Sequence, residues 1–286
     1  MNNRYISVEI AKLKNLPLLP KASSQIISAV NDPDIAIEKL AEVISASPVL
    51  AGRLLGLANS AYFGRTGQIS DLRVAIIRVL GMSLVKSIAL SLVLNAQLDV
   101  SQCKAFNSES YWVNALLTAM LAQKISQLIR PSEFDPAIVY TSGLLLNIGM
   151  IVAVYLFPSE LNKLLATERD SELSLAQRMK REFGMDQYQL GSLLLQRWQL
   201  PEIYQTVLKQ FNNRKYQGQE QHLLELLRIA SELAEQIYLS RSVEDQHLHR
   251  VGKIFTINEA LLRPVITNVL EKLDDLNELA ITISGK

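Results

Sequence analysis

Hydrophobic residues recur along most of this chain at helical spacing. Ile37, Leu40, Ala41 and Ile44 fall at i, i+3, i+4 and i+7, which places them on one face of a helix. Proline and glycine stand mainly between such segments, and no stretch shows the sustained apolar–polar alternation of a half-buried strand. The pattern therefore predicts an all-α fold.

Capping residues and helix breakers set the bounds of the predicted helices. Ser47 followed by Pro48 is a typical helix start, and Asp186 with Gln189 resembles a capping box. The last predicted helix is expected to be interrupted near Pro264. The predicted helices cover residues 22–30, 36–45, 48–58, 71–80, 83–97, 109–129, 137–157, 160–168, 174–183, 187–198, 202–210, 222–239 and 258–279.

The segment 137–157 contains no charged residue, and its nearest charges are Asp135 and Glu160. It is long enough to cross a membrane, which takes about 20 apolar residues. Serine, threonine, asparagine and glycine dilute its apolar character, and no lysine or arginine cluster flanks it. We interpret it as a core helix that is buried on all sides, not as a membrane span.

Composition describes a globular chain with an ample core, because 49% of its 286 residues are hydrophobic and 20% are charged. The stretch 99–108 is more polar, so we expect two subdomains, residues 1–100 and 101–286. Lysine and arginine number 29 against 28 aspartates and glutamates, which gives no bulk field to attract nucleic acid or an acidic membrane. Nucleic acid is therefore not an expected partner.

The lone cysteine, Cys103, excludes an internal disulfide and a thiolate metal cluster. The N-terminal residues lack the apolar core of a secretory signal, so we expect a cytoplasmic protein. Only three histidines occur, His222, His247 and His249, which limits the available metal chemistry. We interpret them as surface residues, although His247 and His249 could chelate an ion if they lay in a loop. Cys103 has no histidine near it in sequence to activate it as a nucleophile.

Several strings of residues resemble the HDOD family. The most specific is LANSAYFG at residues 57–64, and the supporting strings are LLP at 18–20, NDP at 31–33, SPVL at 47–50, ISDLRVAI at 69–76 and WQLP at 198–201. The likeness covers roughly residues 10–240 in one register. It implies an N-terminal helical bundle packed on a degenerate HD-like helical core. It also implies a bacterial origin and a regulatory role in signalling, not a proven catalytic one.

The segment GLLLNIG at 143–149 resembles the GLLHDIG segment of HD-type metal phosphohydrolases. The resemblance places Leu146 and Asn147 at the His-Asp pair, Asn114 at the first histidine and Ser231 at the later aspartate. Gln187 stands where a further family histidine is expected. Divalent ions need imidazole and carboxylate ligands, and none of these side chains supplies one. We therefore predict no catalytic residue, metal or cofactor at this vestigial pocket.

These five residues leave two interpretations open. They could fill a collapsed core, or they could line a neutral polar pocket for a small ligand. The LANSAYFG string leaves a similar choice. Its polar and aromatic residues either anchor a loop onto the core or form a partner-docking loop, whose candidate residues are Asn59, Ser60, Tyr62, Phe63 and Arg65.

The leading hypothesis is a non-catalytic regulatory protein that binds an unidentified signalling protein and uses the degenerate HD core as a scaffold. The alternatives are a metal-dependent phosphohydrolase with ligands not identified in the sequence, and a small-ligand sensor. The sequence leaves the oligomeric state open.

Overall fold

A computed structural model of the chain describes residues 16–64, 68–129, 134–166 and 173–284. Regular structure in these ranges is helical, and none of the described residues lies in a strand. The helices are α1 (Lys21–Asn31), α2 (Ile37–Ser45), α3 (Pro48–Ala58), α4 (Leu72–Ala75), α5 (Met82–Asn95), α6 (Ser108–Ser126), α7 (Pro136–Leu145), α8 (Ile148–Leu156), α9 (Pro158–Ala166), α10 (Leu175–Phe183), α11 (Gln187–Arg197), α12 (Glu202–Gln210), α13 (Gln221–Ser240), α14 (Asp245–Phe255), α15 (Glu259–Glu271) and α16 (Leu273–Ser284). A 3₁₀ turn, Ala61–Phe63, follows α3, and a π-helical turn, Ile76–Leu80, continues α4.

The chain forms two compact units, and each is assembled from separate stretches of sequence. The smaller unit comprises Met1–Pro20, Leu94–Asn107 and Leu145–Gln221. The larger unit comprises Lys21–Val93, Ser108–Leu144 and His222–Lys286. The division into subdomains at residue 100 stays a prediction.

In the smaller unit, α11 packs against both α8 and α12. The contact with α8 is close because Gly149 and Gly191 face each other there, and a Cβ on Gly191 would lie 3.1 Å from the backbone nitrogen of Gly149. Phe157 stacks on Phe183 with ring centroids 4.7 Å apart. The indole of Trp198 donates to the carbonyl oxygen of Pro17 at 3.0 Å, which fastens the entry segment to this unit.

In the larger unit, α16 packs along α6 and also contacts α3 and the 3₁₀ turn. A Cβ on Gly56 of α3 would lie 2.9 Å from the methyl group of Thr282 on α16. Gly143 of α7 likewise faces the backbone of Ala119 on α6. The C-terminal helices therefore complete the core around the N-terminal ones.

Several local predictions are confirmed. The Ser47 hydroxyl accepts from the Leu50 N–H, and Pro48 takes the first helical position of α3. Asp186 and Gln189 form the reciprocal capping box at the start of α11. Gly81 ends the π-helical turn with a φ of +77°, a value that favours glycine.

Two helix predictions were wrong, and one helix was missed. The apolar run 137–157 is two helices, because α7 ends at Leu145 and α8 begins at Ile148. α14 was not predicted, although its buried Leu248, Val251 and Gly252 lie at helical spacing. α15 runs through Pro264, which lies in its second turn and forgoes only the backbone bond to Ala260; the break falls instead at Lys272.

The segment Pro136–Leu156 is long and apolar enough to cross a membrane. Of its most apolar window, 83% is buried inside the protein. A core helix passes the same test of length and composition, and this degree of burial supports that interpretation.

Candidate functional site

The turn between α7 and α8 consists of Leu146 and Asn147, the two residues at the expected His-Asp position. Leu146 is fully buried, and Asn147 is half-buried. Asn147 precedes α8 with φ −100° and ψ 14°, and its side chain makes no capping hydrogen bond. At the position of the expected His-Asp pair, the chain thus presents a hydrocarbon and a neutral amide.

Gln187 begins α11 and is buried. Its Oε1 atom has no hydrogen-bond partner among the described residues. A Cβ on Gly149 would overlap the Gln187 carbonyl oxygen. The backbone of Gln187 therefore lies against α8 at Gly149, which is two positions after Asn147 in the chain. Leu146, Asn147 and Gln187 all belong to the smaller unit, and the backbone of Gln187 contacts α8 at Gly149.

Asn114 and Ser231 belong to the larger unit. Asn114 lies on α6 and Ser231 on α13, and both are half-buried. Arg228, one helical turn before Ser231, is only 5% exposed and forms an ion pair with Glu225 at 3.3 Å. Sequence reasoning missed this arginine, although a charge three positions before Ser231 in an apolar stretch was a signal that could have found it.

These side chains do not fit a divalent ion. Leu146 offers no lone pair, and the amides and the hydroxyl at the other four positions carry no charge to offset a dication. The Arg228 guanidinium, one turn from Ser231, is paired with Glu225 and has no lone pair to offer a cation. Within the described ranges, no group of three or more histidine, cysteine, aspartate or glutamate residues is arranged to hold a metal ion.

The histidines do not form a chelating pair. His247 and His249 both lie on α14. Residues two positions apart in a helix point in different directions, so these two side chains do not face each other. The Nδ1 atom of His249 lies 2.8 Å from Glu259 on α15. Both histidines lie near the start of this helix, His249 exposed and His247 half-buried.

The LANSAYFG segment is fastened at its base by Asn59. The Nδ2 group donates to the carbonyl oxygens of Leu55 and Ile69, both at 2.8 Å, and the Oδ1 atom accepts from the Ile69 N–H at 2.7 Å. The Ser60 hydroxyl donates to the Leu57 carbonyl at 2.8 Å. Asn59 and Ser60 therefore close the end of α3, as the structural interpretation of the sequence predicted.

Tyr62 and Phe63 form the described tip of this segment, and Arg65 lies outside the described residues. The Tyr62 hydroxyl lies 3.5 Å from the sulfur of Met120 on α6, and its ring meets that of Phe63 edge-on at 4.9 Å. Burial, with a smaller contribution from the Asp275 carboxylate, raises the pKa of the Tyr62 phenol. Lys272 contacts Tyr62 as well, and no feature of the sequence had singled out this lysine.

Comparison with known proteins identifies the family and the fold of the chain. The sequence model of the HDOD domain matches residues 16–213. An uncharacterized protein of Treponema pallidum (strain Nichols) is 27% identical over 218 residues, which are 73% of this chain and 40% of that protein.

Solved structures resemble most of the chain. A candidate signal transduction protein of Marinobacter aquaeolei VT8 matches with a TM-score of 0.78 and 22% identity, over 94% of this chain and 60% of that one. A candidate phosphohydrolase of Shewanella amazonensis SB2B gives 0.77 and 22%, over 97% and 98%. An HDOD domain protein of unknown function from Geobacter sulfurreducens gives 0.74 and 20%, over 97% and 99%. At these identities the likeness shows the fold alone, and it confirms the all-α, HD-like prediction.

Proposed function

The chain belongs to the HDOD family, and from that premise we propose that it is a non-catalytic regulatory protein of signal transduction that acts by binding a partner protein. The Treponema and Marinobacter relatives are longer, since the chain spans 40% and 60% of their lengths. The proposal therefore concerns what this stretch of chain does.

The proposal rests mainly on the lack of metal-binding side chains at the five positions of the vestigial pocket. Hydrolysis by an HD-type site needs a metal-bound water whose pKa the ion lowers. The corresponding positions here hold Leu146, three amides and a hydroxyl, and burying a dication without compensating charge is very costly. In the smaller unit α8 and α11 nonetheless pack closely, as the Gly149–Gly191 contact illustrates. An intact scaffold without ligands supports a role in binding.

The Marinobacter structure supports the signalling part of the proposal, since that protein is described as a candidate for signal transduction. The candidate phosphohydrolase from Shewanella supports the alternative, a metal-dependent hydrolase. Elemental analysis of chelator-free protein, followed by assay of a phosphodiester with added Mg²⁺ or Mn²⁺, separates the two. We expect no stoichiometric metal and no turnover. A bound ion with hydrolysis that depends on it would overturn the proposal.

A small-ligand sensor without turnover is a second candidate, and Gln187 favours it. A buried amide oxygen without a partner costs roughly 1–3 kcal/mol, which a ligand hydrogen-bond donor would recover. A thermal-shift screen of metabolites tests this function, since a ligand that binds only the native state raises the midpoint of unfolding. A hit that is lost in Gln187→Leu would support the sensor.

Partner binding is tested with the full chain as bait, followed by reconstitution with the purified partner. We expect Arg65→Ala, in the candidate interaction loop, to weaken the complex. The matched control is Arg181→Ala, an exposed arginine on α10. A complex that tolerates Arg65→Ala and Phe63→Ala equally well would exclude this loop as the docking surface. Failure to reconstitute any complex would count against the function itself.

A further inference from the structure

We propose that Lys272 is a positioning residue for the interaction loop, which it holds through Tyr62. The inference rests on the proposed function in one respect only, namely that the loop meets a partner. Lys272 lies between α15 and α16, far beyond the end of the HDOD match at residue 213. A residue C-terminal to the family match would thus control a segment in the N-terminal part of that match.

Two contacts join Lys272 to Tyr62. The Lys272 ammonium group lies over the tyrosine ring, 4.9 Å from its centroid, within the range of a cation–π interaction. The same nitrogen lies 3.5 Å from the Tyr62 carbonyl oxygen. One cation therefore holds both the side chain and the backbone of a single residue.

The neighbouring elements make Lys272 a stable anchor. α16 begins at the next residue and packs against α6, α3 and the 3₁₀ turn that contains Tyr62. The far end of the tyrosine ring is held by the sulfur of Met120. Tyr62 in turn supports Phe63, whose ring meets it edge-on and is half-buried. A partner that touches Phe63 would therefore meet a surface whose position depends on Lys272.

Two separate sets of hydrogen bonds hold the loop, one at its base and one at its tip, so an experiment can distinguish their loss. Asn59 holds the Ile69 amide at the base, whereas the amides of Phe63 and Gly64 close the 3₁₀ turn at the tip, on the carbonyls of Ser60 and Ala61. Removing the cation should loosen the tip and leave the base unchanged. A general loss of stability would instead affect all of these amides together.

Hydrogen exchange of the full chain measures this directly and needs no partner. In Lys272→Met we expect the Phe63 and Gly64 amides to exchange about two- to fivefold faster, with the Ile69 amide unchanged. Lys272→Arg keeps the cation and should exchange like the wild type. Lys253→Met, at an exposed lysine on α14, is the matched control. Unchanged exchange at Phe63 and Gly64 would overturn the inference whether or not a partner is known.

With a reconstituted partner, Lys272→Met should weaken binding by the same two- to fivefold factor, and Lys272→Arg should restore it. A loosened tip with unaltered binding would overturn the link between Lys272 and partner binding. That result differs from a failure of the proposed function, in which the wild-type chain itself forms no complex.

Discussion

Gly149 and the carbonyl group of Gln187 lie in direct backbone contact between α8 and α11. A Cβ at residue 149 would overlap the carbonyl oxygen and would also lie 2.5 Å from the backbone nitrogen of Gly191. Backbone atoms on a packed helix cannot move aside as a flexible side chain can. The two helices that carry Asn147 and Gln187 therefore approach this closely only because residue 149 is glycine.

We expect Gly149→Ala to destabilise the protein by about 3 kcal/mol or more, because the overlap forces α8 and α11 apart. Urea unfolding followed by circular dichroism measures the change. Gly52→Ala is the matched control, since no atom lies within 4 Å of its added methyl group in the helix α3. That substitution should instead stabilise the protein by roughly 0.5–1 kcal/mol. Equal effects of the two substitutions would contradict the proposed steric cause.

Asp186 joins two helices of the smaller unit. Its Oδ1 atom caps α11 through the Gln189 N–H at 2.9 Å, and its Oδ2 atom accepts from Asn212, just after α12, at 2.9 Å. Asp186→Ala should cost about 1–2 kcal/mol, since it removes a cap and the hydrogen bond from Asn212, whose exposed amide then bonds to water. Ser174→Ala removes the exposed capping box of α10 and should cost about 1 kcal/mol or less. Denaturant midpoints of the two variants test the difference.

The sequence predicted the helices well where local signals decide the structure. Ser47, Gly81 and Asp186 each act over a few residues, and the helix ends that they predict are correct. The break at Leu146–Asn147 was missed because both residues are compatible with a helix. Apolar residues continue through the break, so hydrophobic periodicity did not reveal it.

The candidate site was predicted less completely. The resemblance gave the five vestigial positions, and local chemistry gave the capping roles of Asn59 and Ser60. Lys272 could not be found in this way, since 210 positions separate it from Tyr62. A cation–π contact across that separation leaves no local pattern in the sequence.

The Cys103 thiol should be unreactive in the native protein. It is only 2% exposed, and burial raises its pKa, so the reactive thiolate is both rare and shielded. We expect disulfide-exchange reagents to label it on the order of 100-fold more slowly in buffer than in denaturant. Fast labelling of folded protein would show that the segment around Cys103 opens readily. Cys103→Ser, which has no thiol, is the negative control for labelling.

Two neighbouring tyrosines of the larger unit should make the protein sensitive to alkali. Burial raises the pKa of Tyr140, with a smaller contribution from Tyr62, and it also raises the pKa of Tyr62. A phenol is neutral when protonated, so the folded state binds these protons more tightly than the unfolded chain, whose tyrosines titrate near pH 10. The stabilisation is therefore fully present below about pH 10 and is lost as the pH rises through the folded-state values.

Each such tyrosine should lower the free energy of unfolding by up to about 1.4 kcal/mol per pH unit above pH 10. Urea unfolding at a series of pH values from 7 to 11.5 measures this slope. Tyr140→Phe cannot ionise at this position, so its curve should fall less steeply than that of the wild type above pH 10 and run parallel to it below pH 9. Lysine deprotonation affects both proteins equally and cancels in the comparison. Identical slopes above pH 10 would mean that Tyr140 reaches solvent and ionises without unfolding.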